Sequence, residues 1–257
     1  MNEFIIFIIL SIVQGITEWF PISSSAHLIL IAKLFNYAPS FDFIVAVHLG
    51  TLMAVFVYLG RDIVDIIKDL ARFKFKTEKG KLGIAIIIAT IPAAIIGLTI
   101  HNLIENIRDN ILLMAIGLGI TSLSLFISSI TPKKETKTIN YKKAALIGLS
   151  QVLSLFRGIS RSGSTISTAL ILGIDMKNAV KFSYLISIPI IIGANIIEIG
   201  NQKLSPILFL PTLISFIVGI ASIHVSFKYI LTNRKNLKWF AIYTMLLALV
   251  IIIGILF

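Results

Sequence analysis

The sequence predicts an all-α polytopic membrane protein made of two inverted repeats, each a re-entrant helix-loop-helix hairpin followed by three transmembrane helices. Of the 257 residues, 57% are hydrophobic and only 14% are charged, far from the balance of a soluble globular domain, so the apolar excess needs a lipid phase. Apolar runs long enough to cross a bilayer recur along the chain, and the Lys and Arg residues behind the net charge of +11 sit in loops between them, as orientation signals do. The chain also matches itself without a gap at an offset of 137 positions. Gln14 falls on Gln151, Thr17 on Ser154, Trp19 on Phe156, Ile22 on Ile159, Ser23 on Ser160 and Ser25 on Ser162, while Arg161 takes the place of Ser24. A polar cluster written twice in a hydrophobic chain points to one composite site where two halves meet. The basic charge is therefore assigned to anionic lipid headgroups and not to nucleic acid. With no cysteine, disulfides, thiol nucleophiles and Cys-ligated metals are excluded.

Each element follows from its own residues. Positions 4–13 are apolar until Gly15 and Glu18 interrupt them, and Pro21 bars smooth continuation of a helix. Positions 26–35 form a second apolar piece. Both fall short of the roughly 20 residues a spanning helix needs, so they predict a helix, a broken loop at 22–25 and a returning half-helix. Spanning runs recur afterwards and no basic stretch precedes the first run, which is therefore not expected to be a cleaved signal peptide. Segment 41–59 spans. Segment 61–81 holds seven basic residues, and the spacing of Ile63, Ile66, Ile67 and Leu70 predicts an amphipathic interfacial helix on the cytoplasmic face. Segment 82–100 spans with a kink expected at Pro92, and 101–110, whose single basic residue besides His101 is Arg108, reads as an outer loop. Segment 111–130 returns to a basic connection carrying Lys133, Lys134, Lys137, Lys142 and Lys143. Segments 144–156 and 165–174 repeat the opening theme around a polar break, and Lys177 and Lys181 follow on the cytoplasmic side. Segments 182–199, 206–227 and 239–257 then span.

The whole reads as a single membrane domain, 1–257, with 1–130 as the first repeat, 131–143 as the basic connection and 144–257 as the second repeat. Counting back from the first basic loop, the first hairpin enters from outside and the second from the cytoplasm. Three spans per repeat, an odd number, give adjacent copies opposite topology. Two loops dipping from opposite faces meet near mid-membrane, where irregular backbone survives only inside protein or along a wet cavity.

Glu18 is the most informative single residue, because an ionisable group at bilayer depth costs about 2.5 kcal/mol or more unless it is paired or lines a cavity. Gln14 lies one turn earlier on the same face, so the two side chains suit a hard cation or an attacking group, although a structural hydrogen bond explains Gln14 equally well. Any one of Ser23, Ser24 and Ser25 can be explained as satisfying amides freed at the helix break. As a set beside His27 they suggest chemistry, since an imidazole there can take a hydroxyl proton, attack, or protonate a leaving oxygen. The isolated His48, His101 and His224 are read as hydrogen-bonded structural residues. Arg161, between Ser160 and Ser162 and opening the half-helix that holds Thr165, is a guanidinium beside hydroxyls and a helix N-terminus, which suits phosphate above all. A pair with Glu18 for stability alone would not require the surrounding hydroxyls.

These residues resemble the bacitracin-resistance family of membrane undecaprenyl diphosphate phosphatases. That family's first motif is Glu or Gln, three residues, Glu, then a Pro-x-Ser-Ser loop and His, which Gln14, Glu18, Pro21, Ser23, Ser24 and His27 match. Its second, Pro-Gly-x-Ser-Arg-Ser followed by two residues and Thr, is matched by Gly158, Ser160, Arg161, Ser162 and Thr165, and segment 179–189 is also similar. The resemblance implies hydrolysis of a polyprenyl diphosphate to the monophosphate plus phosphate, recycling the lipid carrier of cell-envelope glycans such as peptidoglycan in the plasma membrane. It implies that Arg161, Ser160, Ser162 and Thr165, with Ser23 and Ser25, hold the diphosphate, and that Glu18 with Gln14 binds a divalent cation, Mg or Ca. Ser24 would attack the terminal phosphorus with His27 as acid/base; His attack and direct water attack are the alternatives. An apolar cleft between the repeats would take the isoprenoid tail, with access from the outer face. The expected partners are the polyprenyl diphosphate, membrane lipids and a second copy in a homodimer, with no nucleic acid.

Arg157 departs from the pattern, standing where the family has proline, and is expected to change loop rigidity or add a cation near the phosphates. Secondary transporters are built on the same plan, so a transporter or flippase of a phosphorylated polyprenyl lipid is the competing reading. A channel is weaker, because Glu18 and Arg161 would oppose each other in a selectivity ring.

Overall fold

The first helix ends ahead of Pro21, as its missing amide demands: α1 (Glu3–Thr17) runs through Gly15 and stops before Glu18, and α2 (Ser24–Leu34) returns. The computed structural model describes residues 3–131, 135–199 and 205–256, so Lys133, Lys134 and Phe257 lie outside the described residues. The rest of the first half is α3 (Phe41–Tyr58), α4 (Gly60–Ala71), α5 (Glu78–Thr99), α6 (His101–Ile107) and α7 (Ile111–Ile130). The second half runs through α8 (Tyr141–Val152), α9 (Arg161–Ile171), α10 (Met176–Ile199), α11 (Phe209–Val225) and α12 (Leu237–Leu256). Among the described residues six helices are long and apolar enough to cross a membrane, and the short α1 and α2 are not among them. The protein is an all-α multi-pass membrane protein.

Several boundaries differ from the sequence expectation, each for a local reason. Segment 101–107 is a helix and not loop, because it holds neither Gly nor Pro and Arg108 pairs with Glu105 at 2.9 Å one turn back. Helix α10 starts at Met176, ahead of Phe182, because Asp175 accepts from the Asn178 amide at 3.1 Å and caps the first turn. Lys177 and Lys181 therefore stand on helix, where Lys181 Nζ meets Asp62 Oδ2 of α4 at 2.7 Å. Helix α5 starts at Glu78 because Thr77 accepts from the Gly80 amide at 3.0 Å, and it runs unbroken through Pro92. The expected interfacial helix is α4, which buries Ile63 and Ile66 and leaves Val64 and Ile67 exposed.

The halves interleave. Helix α3 packs on α11 and α7 packs on α12, while α5 lies on α8 and α11 lies on α1. The last two contacts are the same relation read twice: the second span of each half covers the first hairpin helix of the other. Gly148 permits one of these crossings, since a Cβ there would stand 2.4 Å from the Ala89 carbonyl oxygen. Around them the buried hydroxyls of the helices return to carbonyls one turn back, as Ser11 does to Phe7 at 2.6 Å and Thr244 to Phe240 at 2.9 Å, so they need no further partner.

Candidate active site

The two broken loops touch. Ser162 Oγ donates to the Phe20 carbonyl at 2.9 Å, and Arg161 Nη2 reaches Glu18 Oε1 at 2.5 Å, so residues far apart in sequence form one cluster. Glu18 sits just past α1 and accepts at Oε2 from Gln14 Nε2 at 3.0 Å and from Ser24 Oγ at 2.7 Å. The carboxylate and the guanidinium are 7% and 12% exposed, so the pair is nearly desolvated and depends on these added hydrogen bonds.

Ser24 opens α2 behind a strained residue: Ser23 has φ of 69°, in the left-handed region that a non-glycine residue enters at a cost of about 1–3 kcal/mol. That turn aims the Ser24 hydroxyl back at Glu18. Ser23 Oγ lies 3.3 Å from Ser25 Oγ, and all three serines line a cavity of about 430 Å³ with Glu18, Ser160, Arg161 and Ser162. Ser160 accepts from the Gly163 amide at 3.0 Å, capping α9, and lies 3.2 Å from Ser162 Oγ. The N-termini of α2 and α9 thus converge on one cavity beside a guanidinium, which is an anion-binding arrangement.

Two predicted residues are held elsewhere. His27 Nδ1 contacts the Ser23 carbonyl at 2.7 Å, and its Nε2 contacts the Tyr243 hydroxyl of α12 at 2.7 Å. A carbonyl only accepts, so Nδ1 carries the ring proton and Nε2 accepts from Tyr243. Both nitrogens are committed and the ring does not reach the Ser24 hydroxyl proton, so the expected pairing of Ser24 with His27 is replaced by Ser24 with Glu18. Thr165 Oγ1 donates to the Arg161 carbonyl at 2.7 Å and lies 2.7 Å from Ser183 Oγ. It stands behind Arg161 and braces it, outside the cavity wall.

Other residues were missed. His48 of α3, read as structural, lines the cavity with Nε2 3.7 Å from Glu18 Oε2, its Nδ1 fixed by the Ile44 carbonyl at 2.8 Å. The available signal was an ionisable side chain inside a spanning run, the same signal that singled out Glu18. Ser183, whose carbonyl accepts from Arg161 Nη1 at 3.3 Å, carried no signal beyond its place in segment 179–189. Arg157 does not add a cation to the phosphate site: its Nη1 pairs with Asp109 Oδ1 at 2.9 Å, which ties the second loop to the turn before α7.

Gln14 Oε1 is buried without a hydrogen-bond partner, which suits a ligand, but Glu18 is already shared among Arg161, Ser24 and Gln14. Among the described residues no group of three or more His, Cys, Asp or Glu side chains could hold a metal. A hard cation takes six or more oxygens, more than Gln14 and Glu18 supply.

Fold and site together define a polytopic membrane protein that gathers a carboxylate, a guanidinium and several hydroxyls between two broken helix pairs. Residues 7–250 match the family described as Bacitracin resistance protein BacA, and the chain belongs to that family. It is 40% identical over 244 residues to the undecaprenyl-diphosphatase of Thermosipho africanus, covering 95% of this chain and 97% of that protein. It is 44% identical over 255 residues to the undecaprenyl-diphosphatase of Caldicellulosiruptor bescii, covering 95% of each. The undecaprenyl-diphosphatase of Methanococcus vannielii is 34% identical over 247 residues, covering 95% of this chain and 98% of that protein.

Proposed function

We infer that the protein hydrolyses undecaprenyl diphosphate to undecaprenyl phosphate and phosphate, recycling a lipid carrier, with Ser24 as the nucleophile. The observation that carries this is the chain of contacts from Ser24 Oγ to Glu18 Oε2 at 2.7 Å and from Glu18 Oε1 to Arg161 at 2.5 Å, a hydroxyl aligned on a carboxylate beside a phosphate-binding cation. The diphosphate lies against Arg161, Ser160, Ser162, Ser23, Ser25 and the amides opening α2 and α9. Ser24 Oγ attacks the terminal phosphorus in line while its proton passes to Glu18. The bond to the bridging oxygen breaks and the polyprenyl monophosphate leaves. Glu18 hands that proton to the departing oxygen and so returns to the carboxylate. Water then attacks the phosphoserine, giving its proton to Glu18, the phosphorus–Oγ bond breaks, and Ser24 Oγ takes the proton back as inorganic phosphate is freed. A divalent cation held by Gln14 Oε1, Glu18 and the diphosphate would offset phosphate charge. Thr165 and His27 act by position, one behind Arg161 and the other across the Ser23 turn.

Access from the outer face is supported by two further lining residues of the cavity, His101 and Glu105 of α6, because α6 lies in a connection whose single Lys or Arg is Arg108, against the seven of segment 61–81. The cell membrane is the expected location. The reciprocal packing of α5 on α8 and α11 on α1 supports two inverted repeats, 1–130 and 144–257. That symmetry also favours the second reading, transport of a phosphorylated polyprenyl lipid.

The deciding test is phosphate release from undecaprenyl diphosphate by purified protein, with and without chelator, beside Arg161→Ala. Release by wild type and its loss in Arg161→Ala supports hydrolysis at this site; loss with chelator adds the cation. A folded, metal-supplied wild type that moves lipid and releases no phosphate would leave transport as the function.

A further inference from the structure

A second cavity opens beside the first. A groove of about 470 Å³ is walled by Ile66 and Leu70 of α4, Ile87 and Ile91 of α5, and Ile188 and Ile192 of α10. Thr90 is the one polar side chain in its wall, and its hydroxyl is already given to the Ile86 carbonyl at 2.8 Å. Nothing in the groove asks for a hydrogen bond, so its ligand is apolar along its whole length. The groove also borders the active-site cavity, since Thr90, Ala94 and Pro189 line both.

We propose that this groove binds the isoprenoid tail of the substrate, running from mid-membrane toward the basic face of the protein and ending beneath α4. The inference rests on the phosphatase reading and adds the tail's path and direction to it. A diphosphate at Arg161 is covalently tied to a long hydrocarbon, which must leave the polar cavity through an apolar opening. The wall shared by Thr90, Ala94 and Pro189 is such an opening, at the midpoint of α5 and α10. From Ala94 back to Gly83, α5 follows the groove for about 16 Å at 1.5 Å per residue, toward the end that carries the basic α4–α5 connection. Helix α4 closes that end. It is pinned there by Asp62, which pairs with Lys181 of α10 at 2.7 Å and with Lys79 of α5. The outer side of the groove is left to lipid, since Ile67, Ile87 and Ile91 on its rim are about half exposed. The tail can therefore enter sideways from the bilayer without threading through protein, while the headgroup reaches the loops.

A groove of about 16 Å seats the part of the tail nearest the headgroup, and only a chain that runs on past α4 into lipid is held along all of it, which makes chain length the readout. The test compares undecaprenyl and farnesyl diphosphate as substrates for wild type, for the rim variants Ile87→Trp and Ile67→Trp, and for Ile116→Trp on the exposed face of α7, away from the groove. Trp at the rim is expected to lower the undecaprenyl-to-farnesyl ratio of kcat/KM at least tenfold through KM for the long substrate, with Ile116→Trp matching wild type. An unchanged ratio in folded rim variants overturns the proposal and makes the groove a seat for ordinary bilayer lipid. Should the rim variants fail to fold, a polyprenyl diphosphate carrying a photoreactive diazirine in its tail decides on wild type: adducts on the groove residues of α4, α5 or α10 support the path, and adducts confined to residues outside the groove overturn it. Wild type that cleaves neither substrate defeats the phosphatase reading itself, an outcome distinct from cleavage of both with no dependence on the groove.

Discussion

Ser24 gives its single proton to Glu18, so removing the hydroxyl removes the proposed nucleophile and leaves the carboxylate paired with Arg161. Ser24→Ala is expected to lower kcat by about 10³-fold or more, measured as phosphate release, with no phosphoserine on the peptide containing residue 24 by mass spectrometry of quenched wild-type reactions serving as the counter-result. Arg161→Lys keeps the charge and loses the planar fork that spans Glu18 and the Ser183 carbonyl; activity should fall about 10²-fold. His27 predicts the opposite kind of effect. Because Tyr243 donates to a ring that is held by the Ser23 carbonyl, Tyr243→Phe should weaken the turn and cost less than about tenfold in kcat/KM, with the pH profile unmoved. A displaced profile would return His27 to proton transfer. The sequence singled out Glu18 and Arg161 because charge is costly in lipid, and Ser24 only as one of a set of hydroxyls and through the family resemblance. It could not separate His27 from His48, since which imidazole faces the carboxylate depends on how α2 and α3 are rotated.

The second loop shows how a helix break is enforced by its neighbours. Gly158 has φ of 93° and a Cβ there would stand 2.1 Å from the Met114 carbonyl oxygen of α7, so Gly158→Ala meets both a backbone penalty of about 1–3 kcal/mol and a clash with backbone. It should lower the unfolding temperature in detergent by several degrees and disorder Arg161, because the next residues cap α9. Unchanged stability would show that the loop is free of α7. The spanning helices and the two hairpins were legible, since apolar length and Pro or Gly punctuation are local properties. The starts of α5 and α10 were less so, because caps at Thr77 and Asp175 extend each helix into polar residues that hydropathy counts as loop. Helix α6 escaped because it is short and polar and no side-chain cap marks its start.

Between the halves, Asp62 is the charge that ties α4 to α5 and α10. Burial by itself would raise its pKa, but hydrogen bonds and charge from Lys181 and Lys79 outweigh that and hold it below the ordinary carboxylate value. With the folded pKa lowered, the latch contributes stability in full above the unfolded pKa of about 4 and loses it as pH falls through the folded value. Wild type should therefore lose thermal stability in acid more steeply than Asp62→Asn, which should be less stable than wild type near neutral pH; parallel pH curves for the two would remove Asp62 as the cause. The sequence by itself determined the lipid-embedded helical class, the two broken hairpins and the residues able to carry phosphate chemistry, because hydropathy, helix breaking and the cost of charge in lipid are set residue by residue. Only the tertiary structure decided that Arg161 closes on Glu18, that Ser24 and not His27 meets the carboxylate, that Arg157 turns away to Asp109, and that an apolar groove borders the site beneath α4. Those are relations between helix faces, fixed by how the two halves pack and absent from any local stretch of chain.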